Sequence, residues 1–433
     1  MRIKTYLTFM VLLVLLSISE CANAMIDGVM GSSFDLAAKA GRISTADGGS
    51  VYAWGYANGT GPMQYPGVTM IVDEGATVDV NFTNGLPYAS SIVFPGQTNV
   101  TATGGSPGLL TNEAAPGGTV AYRFTASRPG TYLYHSGTRP EVQVEMGLVG
   151  AIIVRPAGFS EASPRAYDHA GTAYDRETLF LLTEMDPRIH EIVETQGVAG
   201  LNATSLLSGY SPYYWFINGR NAPDTMAPAF APWLPNQPYD SMPRMHPGER
   251  LLMRVVNAGR DLHPFHHHGN HSTVIARDGM LLESYSGAGP DLGTKVFTIQ
   301  SVPGETVDAI FEWTGKGLGW DIYGTGAGYE HACTDADGDG FDEATHEYCA
   351  DHGKPFPVTL PDTLDTMIGA FYGGSPFLGT LGSLPPGEGG LNPNAGFVYM
   401  WHSHTEKEMT NYDIFPGGMM TMLIIEPPGA AIE

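Results

Sequence analysis

Apolar and polar residues alternate along Thr77-Val78-Asp79-Val80-Asn81-Phe82, just before the turn pair Asn84-Gly85, and again along Thr119-Val120-Ala121-Tyr122-Arg123-Phe124, before Pro129-Gly130. A period of two places Val78, Val80 and Phe82 on one face of a strand and Asp79 and Asn81 on the other, as in a sheet packed on one side and wet on the other. Farther along, the continuous apolar run Thr178-Leu179-Phe180-Leu181-Leu182 predicts a buried strand, and Leu251-Leu252-Met253-Arg254-Val255-Val256 and Val296-Phe297-Thr298-Ile299 supply further strands. Phe397 to Trp401 and Met420 to Glu426 supply the last two. The pattern predicts an all-β chain of tandem Greek-key β-sandwiches, at about 27–156 and 175–427, joined by a segment rich in Ser, Pro and Asp. Residues 325–395 read as an irregular insertion in the second sandwich, because their Gly and Pro content is poor material for a third. No long amphipathic helix stands out.

The N-terminus changes the compartment. Arg2 and Lys4 precede an apolar run from Tyr6 to Leu16, and Ala22-Asn23-Ala24 has the small residues of a cleavage site, so 1–24 reads as a signal peptide for a periplasmic or extracellular protein. The apolar run is short for a membrane span. Cys21 falls within the leader, and Glu20 before it disfavours a lipoprotein signal. Cys333 and Cys349 remain, and an oxidising compartment predicts a disulfide between them. Without the leader the chain carries 19 basic and 44 acidic residues, a formal charge of −25, which argues against nucleic acid as a partner.

Candidate chemistry lies in the histidines. Six of the fourteen fall in two short windows, His263-Pro264-Phe265-His266-His267-His268-Gly269 and Trp401-His402-Ser403-His404, with His271 following the first. Imidazole is a preferred ligand of copper and zinc, and the i, i+2 spacing on a strand turns both rings of a pair to one face. An isolated His is more often a hydrogen-bonded core or surface residue; this clustering favours a metal. His267 alternates out of the pair formed by His266 and His268, so it reads as structural. A second candidate is Asp335-Ala336-Asp337-Gly338-Asp339-Gly340, which matches the start of a calcium loop through Asp335, Asp337 and Asp339. Position 12 is His346 rather than Glu, so Glu343 or Asp342 would have to complete a calcium site; the alternative is an acidic turn pinned by the disulfide.

The two His windows resemble the multicopper oxidase family, whose last cupredoxin domain carries H-P-x-H-x-H-G and, near its C-terminus, H-C-H followed by a further His. Thr131-Tyr132-Leu133-Tyr134-His135-Ser136-Gly137 is similar to the family's G-T-Y-x-Y-H-S-H. Phe216-Ile217-Asn218-Gly219-Arg220, Pro247-Gly248-Glu249-Arg250 and Pro303-Gly304-Glu305-Thr306-Val307-Asp308 add further family-like punctuation, so the resemblance covers nearly all of the chain after the leader. It implies cupredoxin sandwiches and copper. Of the eight His that such a trinuclear centre uses, it carries over five: His135 and His404 to one copper of a type 3 pair, His268 and His402 to the other, and His266 to type 2. In two-domain relatives this centre forms between subunits of a trimer, which implies a homotrimer in which His135 faces a neighbour's His402 and His404.

The departures are equally specific. Val93-Phe94-Pro95-Gly96 stands where the family has H-W-H-G, and Gly137 replaces another ligand. Ser403 occupies the place of the cysteine, and Glu408 that of the later His. A Ser hydroxyl is a poor substitute for the thiolate of a type 1 blue copper, so the resemblance with these gaps implies copper without a blue centre. His263, the family's type 1 ligand, is left either without a metal or recruited elsewhere. Three functions stay open: an oxidoreductase acting on a small molecule or metal ion through a reduced copper site, a copper handling or storage protein, and a structural or interaction module. For copper handling, Met409, Met419, Met420 and Met422 are candidate thioether ligands, though such residues are more often core.

Overall fold

A computed structural model of the chain describes residues 26–313, 332–344, 349–353, 397–426 and 430–432. The proposed leader and most of the proposed insertion lie outside these residues.

Strands between Val29 and Arg155 form two main sheets and a short two-stranded ribbon, Ser106–Pro107 with Asn112–Glu113. One pairs Val29–Met30, Met70–Asp73, Val149–Arg155 and Gly130–His135; the other orders Ser50–Asn58, Ser33–Ser44, Thr77–Asn84, Thr119–Thr125 and Thr98–Thr103. Alternation works as the pattern predicts. Val78, Val80, Phe82, Val120, Tyr122 and Phe124 are buried between the sheets, whereas Thr77, Asn81, Thr119, Ala121 and Arg123 face solvent.

Strands between Arg176 and Ile425 build a second pair. Tyr214–Ile217, Arg176–Met185, Arg250–Asn257, Thr306–Glu312 and Ser272–Arg277 make one sheet, which Met280–Leu281 and Thr294–Val296 extend. The facing sheet orders Arg244–Met245, Met420–Ile425, Phe397–Ser403, His263–His267 and Thr298–Ser301. Phe180, Phe265, Phe311 and Trp401 fill the space between them.

Val149–Arg155 is buried at all seven positions. The reason is that both its faces are covered. Ile152 and Val154 join the first core, while Val149, Ala151 and Ile153 pack against Leu179, Leu181, Phe216 and Val256 of the second unit. Beside this apolar seam lies a buried ionic one. Glu177 accepts bonds from Arg155 and Arg254, Arg254 also donates to the Thr131 hydroxyl at 3.0 Å, and Asp308 accepts from Thr131 and Tyr167 at 2.6 Å each. Two guanidinium groups are thus balanced by two carboxylates, as buried charge requires.

One element departs from the sequence reading. Pro187–Asn202 is helical, capped by the Asp186 side chain on the Arg188 N–H, with a kink at Gly197. Ile189, Val193, Val198 and Leu201 add their side chains to the first core.

Candidate metal centre

The strand His263–His267 runs between Thr298–Ser301 and Phe397–Ser403, with Phe265 opposite Ser403, His266 opposite His402 and His267 opposite Trp401. Directly opposed residues on antiparallel strands share a face. His266 and His402 therefore come together, with ring centroids 5.3 Å apart, and His268 joins them at 4.8 Å from His266 and 5.3 Å from His402. One ligating nitrogen from each of the three lies within 4.8 Å of the others. His404 is a ring neighbour, 5.0 Å from His266 and 5.5 Å from His402, but stands exposed at the rim outside the three-nitrogen group. His267 points into the core, edge-on to Phe311 and Trp401, and its Nε2 accepts the Ser272 N–H at 3.1 Å.

These donors suit a borderline metal such as copper. The Nδ1 of His402 lies 2.7 Å from the Ser403 carbonyl, so that nitrogen carries the proton and Nε2 keeps its lone pair. That Nε2 meets the Nε2 of His268 at 3.2 Å, while the buried Nδ1 of His268 has no hydrogen-bond partner. His266 places Nδ1 2.9 Å from the Thr298 hydroxyl. Burial first, then repulsion among the rings, pushes His266 down to about 3 and His268 to about 4; burial also lowers His402. All three are neutral at pH 7, the form that ligates.

His135 ends the strand Gly130–His135 half-buried, its Nδ1 donating to the Ser136 carbonyl at 2.9 Å, which leaves Nε2 as the ligating lone pair as in His402. It does not belong to the three-nitrogen group. Nearby, a Cβ added at Gly137 would meet Val93 Cγ1 at 2.7 Å and the Ser91 hydroxyl at 3.1 Å. Val93, itself at a position where the resemblance calls for a ligand, thus fills the space a side chain at 137 would need.

His263 is not in the group either. It is buried, with Nε2 2.9 Å from Glu184 and Nδ1 2.9 Å from Glu408. Glu184 also accepts the backbone N–H groups of Arg260 and Asp261 at 2.5 and 3.2 Å. Gly259 permits this approach, since a Cβ there would lie 1.9 Å from Glu184 Oε2. Sequence reasoning missed Glu184. Its one visible signal was a carboxylate near the end of a strand whose middle, Leu179 to Leu182, is apolar. Ser403 is buried and accepts the Thr405 N–H at 3.2 Å, and Met419, Met420 and Met422 are buried as core residues.

In the acidic loop, Cys333 and Cys349 are joined by a disulfide. Asp335 and Asp337 come together with Glu343, whereas Asp339 stands outside that group and accepts the Phe341 N–H. The three grouped carboxylates are exposed, and each accepts backbone N–H groups of the loop itself. Those bonds account for the turn without a cation.

Residues 39–158 match the family model described as "Multicopper oxidase". Among curated relatives, "Multicopper oxidase MCE" of Talaromyces pinophilus is 37% identical over 95 residues, covering 22% of this chain and 15% of that protein. "Laccase-24" of Oryza sativa subsp. japonica is 27% identical over 252 residues, 57% of this chain and 38% of that one. The matched region thus spans less than two fifths of either relative. In fold, the chain is similar to the blue copper oxidase from Nitrosomonas europaea, with a TM-score of 0.54 and 19% identity over 91% of this chain and 85% of that one. The multicopper oxidase mgLAC gives a TM-score of 0.53 and 18% identity over 93% and 87%. Residues 39–158 thus match a multicopper oxidase domain, and over most of its length the chain shares the fold of solved multicopper oxidases.

Proposed function

We propose that this protein is a secreted, copper-binding oxidoreductase whose metal is held by His266, His268 and His402, with His404 at the rim and no blue copper. The observation that carries this reading is the convergence of three neutral imidazoles on one point at the ends of two paired strands. Bound there, copper supplies one-electron redox chemistry. The residues do the rest. His402 is held in one tautomer by the Ser403 carbonyl, His266 is oriented by Thr298, and the packed His267 and Trp401 hold the strands in register beneath. In a homotrimer, His135 of a second copy adds a fourth or fifth imidazole, its Nδ1 already committed to Ser136. The substrate is a small molecule or metal ion; the net negative charge supports no nucleic-acid role. Copper handling without turnover is the second reading, favoured by the absence of a thiolate beside the histidines. Dioxygen uptake with a phenolic donor, compared between copper-loaded wild type and His268→Ala, separates the two. Uptake lost in the variant supports the oxidoreductase, and wild type that binds copper but consumes no dioxygen supports handling.

A further inference from the structure

We infer that Glu184, His263 and Glu408 form a permanent ionic staple that closes the place where a mononuclear blue copper would sit and positions the His402-Ser403-His404 segment. Both ring nitrogens of His263 face carboxylate oxygens at 2.9 Å. Carboxylates only accept, so each nitrogen must bring a proton, and the ring is an imidazolium with no lone pair to give a metal. The two carboxylates lie on opposite edges of the ring and cannot converge with it on one ion. Ser403 contributes a buried hydroxyl where such a copper needs a thiolate.

Burial alone disfavours the charged ring, but the two carboxylates outweigh it and push His263 up to about 10. Of the other charged or titratable groups nearby, Asp261 adds attraction, the Tyr210 hydroxyl donates to Glu184 at 3.4 Å, and the Arg260 guanidinium stacks on the Tyr210 ring. The staple joins three elements: Arg176–Met185 through Glu184, His263–His267 through its first residue, and the turn Glu406–Met409 through Glu408. That turn follows directly on His404. The contact therefore fixes the second His pair against the first, and it leaves the three-histidine group as the place where a reductant meets copper. The inference depends on the proposed copper site for that consequence alone.

The test uses wild-type protein labelled with 15N in histidine side chains, observed by proton-correlated NMR at pH 7 and pH 9 and then titrated with Cu(I), which is diamagnetic. His263 is expected to show two protonated ring nitrogens at both pH values, unchanged by Cu(I), while His266, His268 and His402 shift. A neutral His263 at pH 7, or loss of one of its ring protons on adding Cu(I), overturns the staple. If no histidine responds to Cu(I) while His263 stays doubly protonated, the copper site fails and the staple stands.

Discussion

The Nε2 atoms of His268 and His402 stand 3.2 Å apart on two strands that are 134 residues distant in sequence. With His402 protonated at Nδ1, its Nε2 accepts this bond from the Nε2–H of His268. With a metal, the same nitrogens become ligands, so proton and metal compete for one place.

This competition sets the acid limit of copper binding. With His266 near 3 and His268 near 4, these two rings stay neutral at pH 5, where an ordinary His at 6.5 is mostly charged. Copper should be retained on dialysis at pH 5 and released between about pH 4 and 3. Metal analysis after dialysis checks this; loss centred near pH 6.5 would mean ordinary exposed histidines hold the metal.

The metal-free protein should have stability slopes on both sides of neutrality. His266 and His268 have lowered values in the fold, so the unfolded chain takes up protons first and stability falls as pH drops below about 6.5. His263 is raised, so its contribution is complete below 6.5 and is lost as pH rises towards about 10. Melting curves from pH 5 to 10 should show both slopes, and Glu408→Gln should flatten the alkaline one.

Arg254→Met should cost about 3–5 kcal/mol, because it leaves Glu177 and Asp308 with less compensation in a buried setting. Urea denaturation measures it. A loss below about 1 kcal/mol would show that water reaches the seam between the two sandwiches.

The Cys333–Cys349 bond closes a loop with a sequence separation of 16, worth about 3 kcal/mol in the chain-entropy model. Thiol titration of denatured, unreduced protein lacking the leader should find none free. Two free thiols would contradict the pairing.

Much of the fold was legible because alternation along Thr77–Asn84 and Thr119–Thr125 follows directly from one wet and one packed face. The pairing of His266 with His268 was legible for the same geometric reason. Contacts that join distant elements were not. Glu184 meets His263 across 79 residues, and no local period encodes that approach. The helix Pro187–Asn202 was missed although Asp186-Pro187 is a start signal, since Gly197 breaks the 3.6-residue rhythm. His135 is placed by the first sandwich and, among the described residues, lies outside the three-histidine group, which no local pattern in the sequence could show.

The central claim is that copper sits on His266, His268 and His402 without a blue centre, and copper content with the absorbance spectrum tests it most directly. Copper-loaded wild type should bind the metal with no intense band near 600 nm, the range of the family's blue sites. His267→Leu should bind as wild type does, because that ring points into the core. The double variant His402→Ala and His404→Ala should lose most copper while its circular dichroism stays native. An intense band near 600 nm in wild type, or full copper in a folded double variant, would contradict the account.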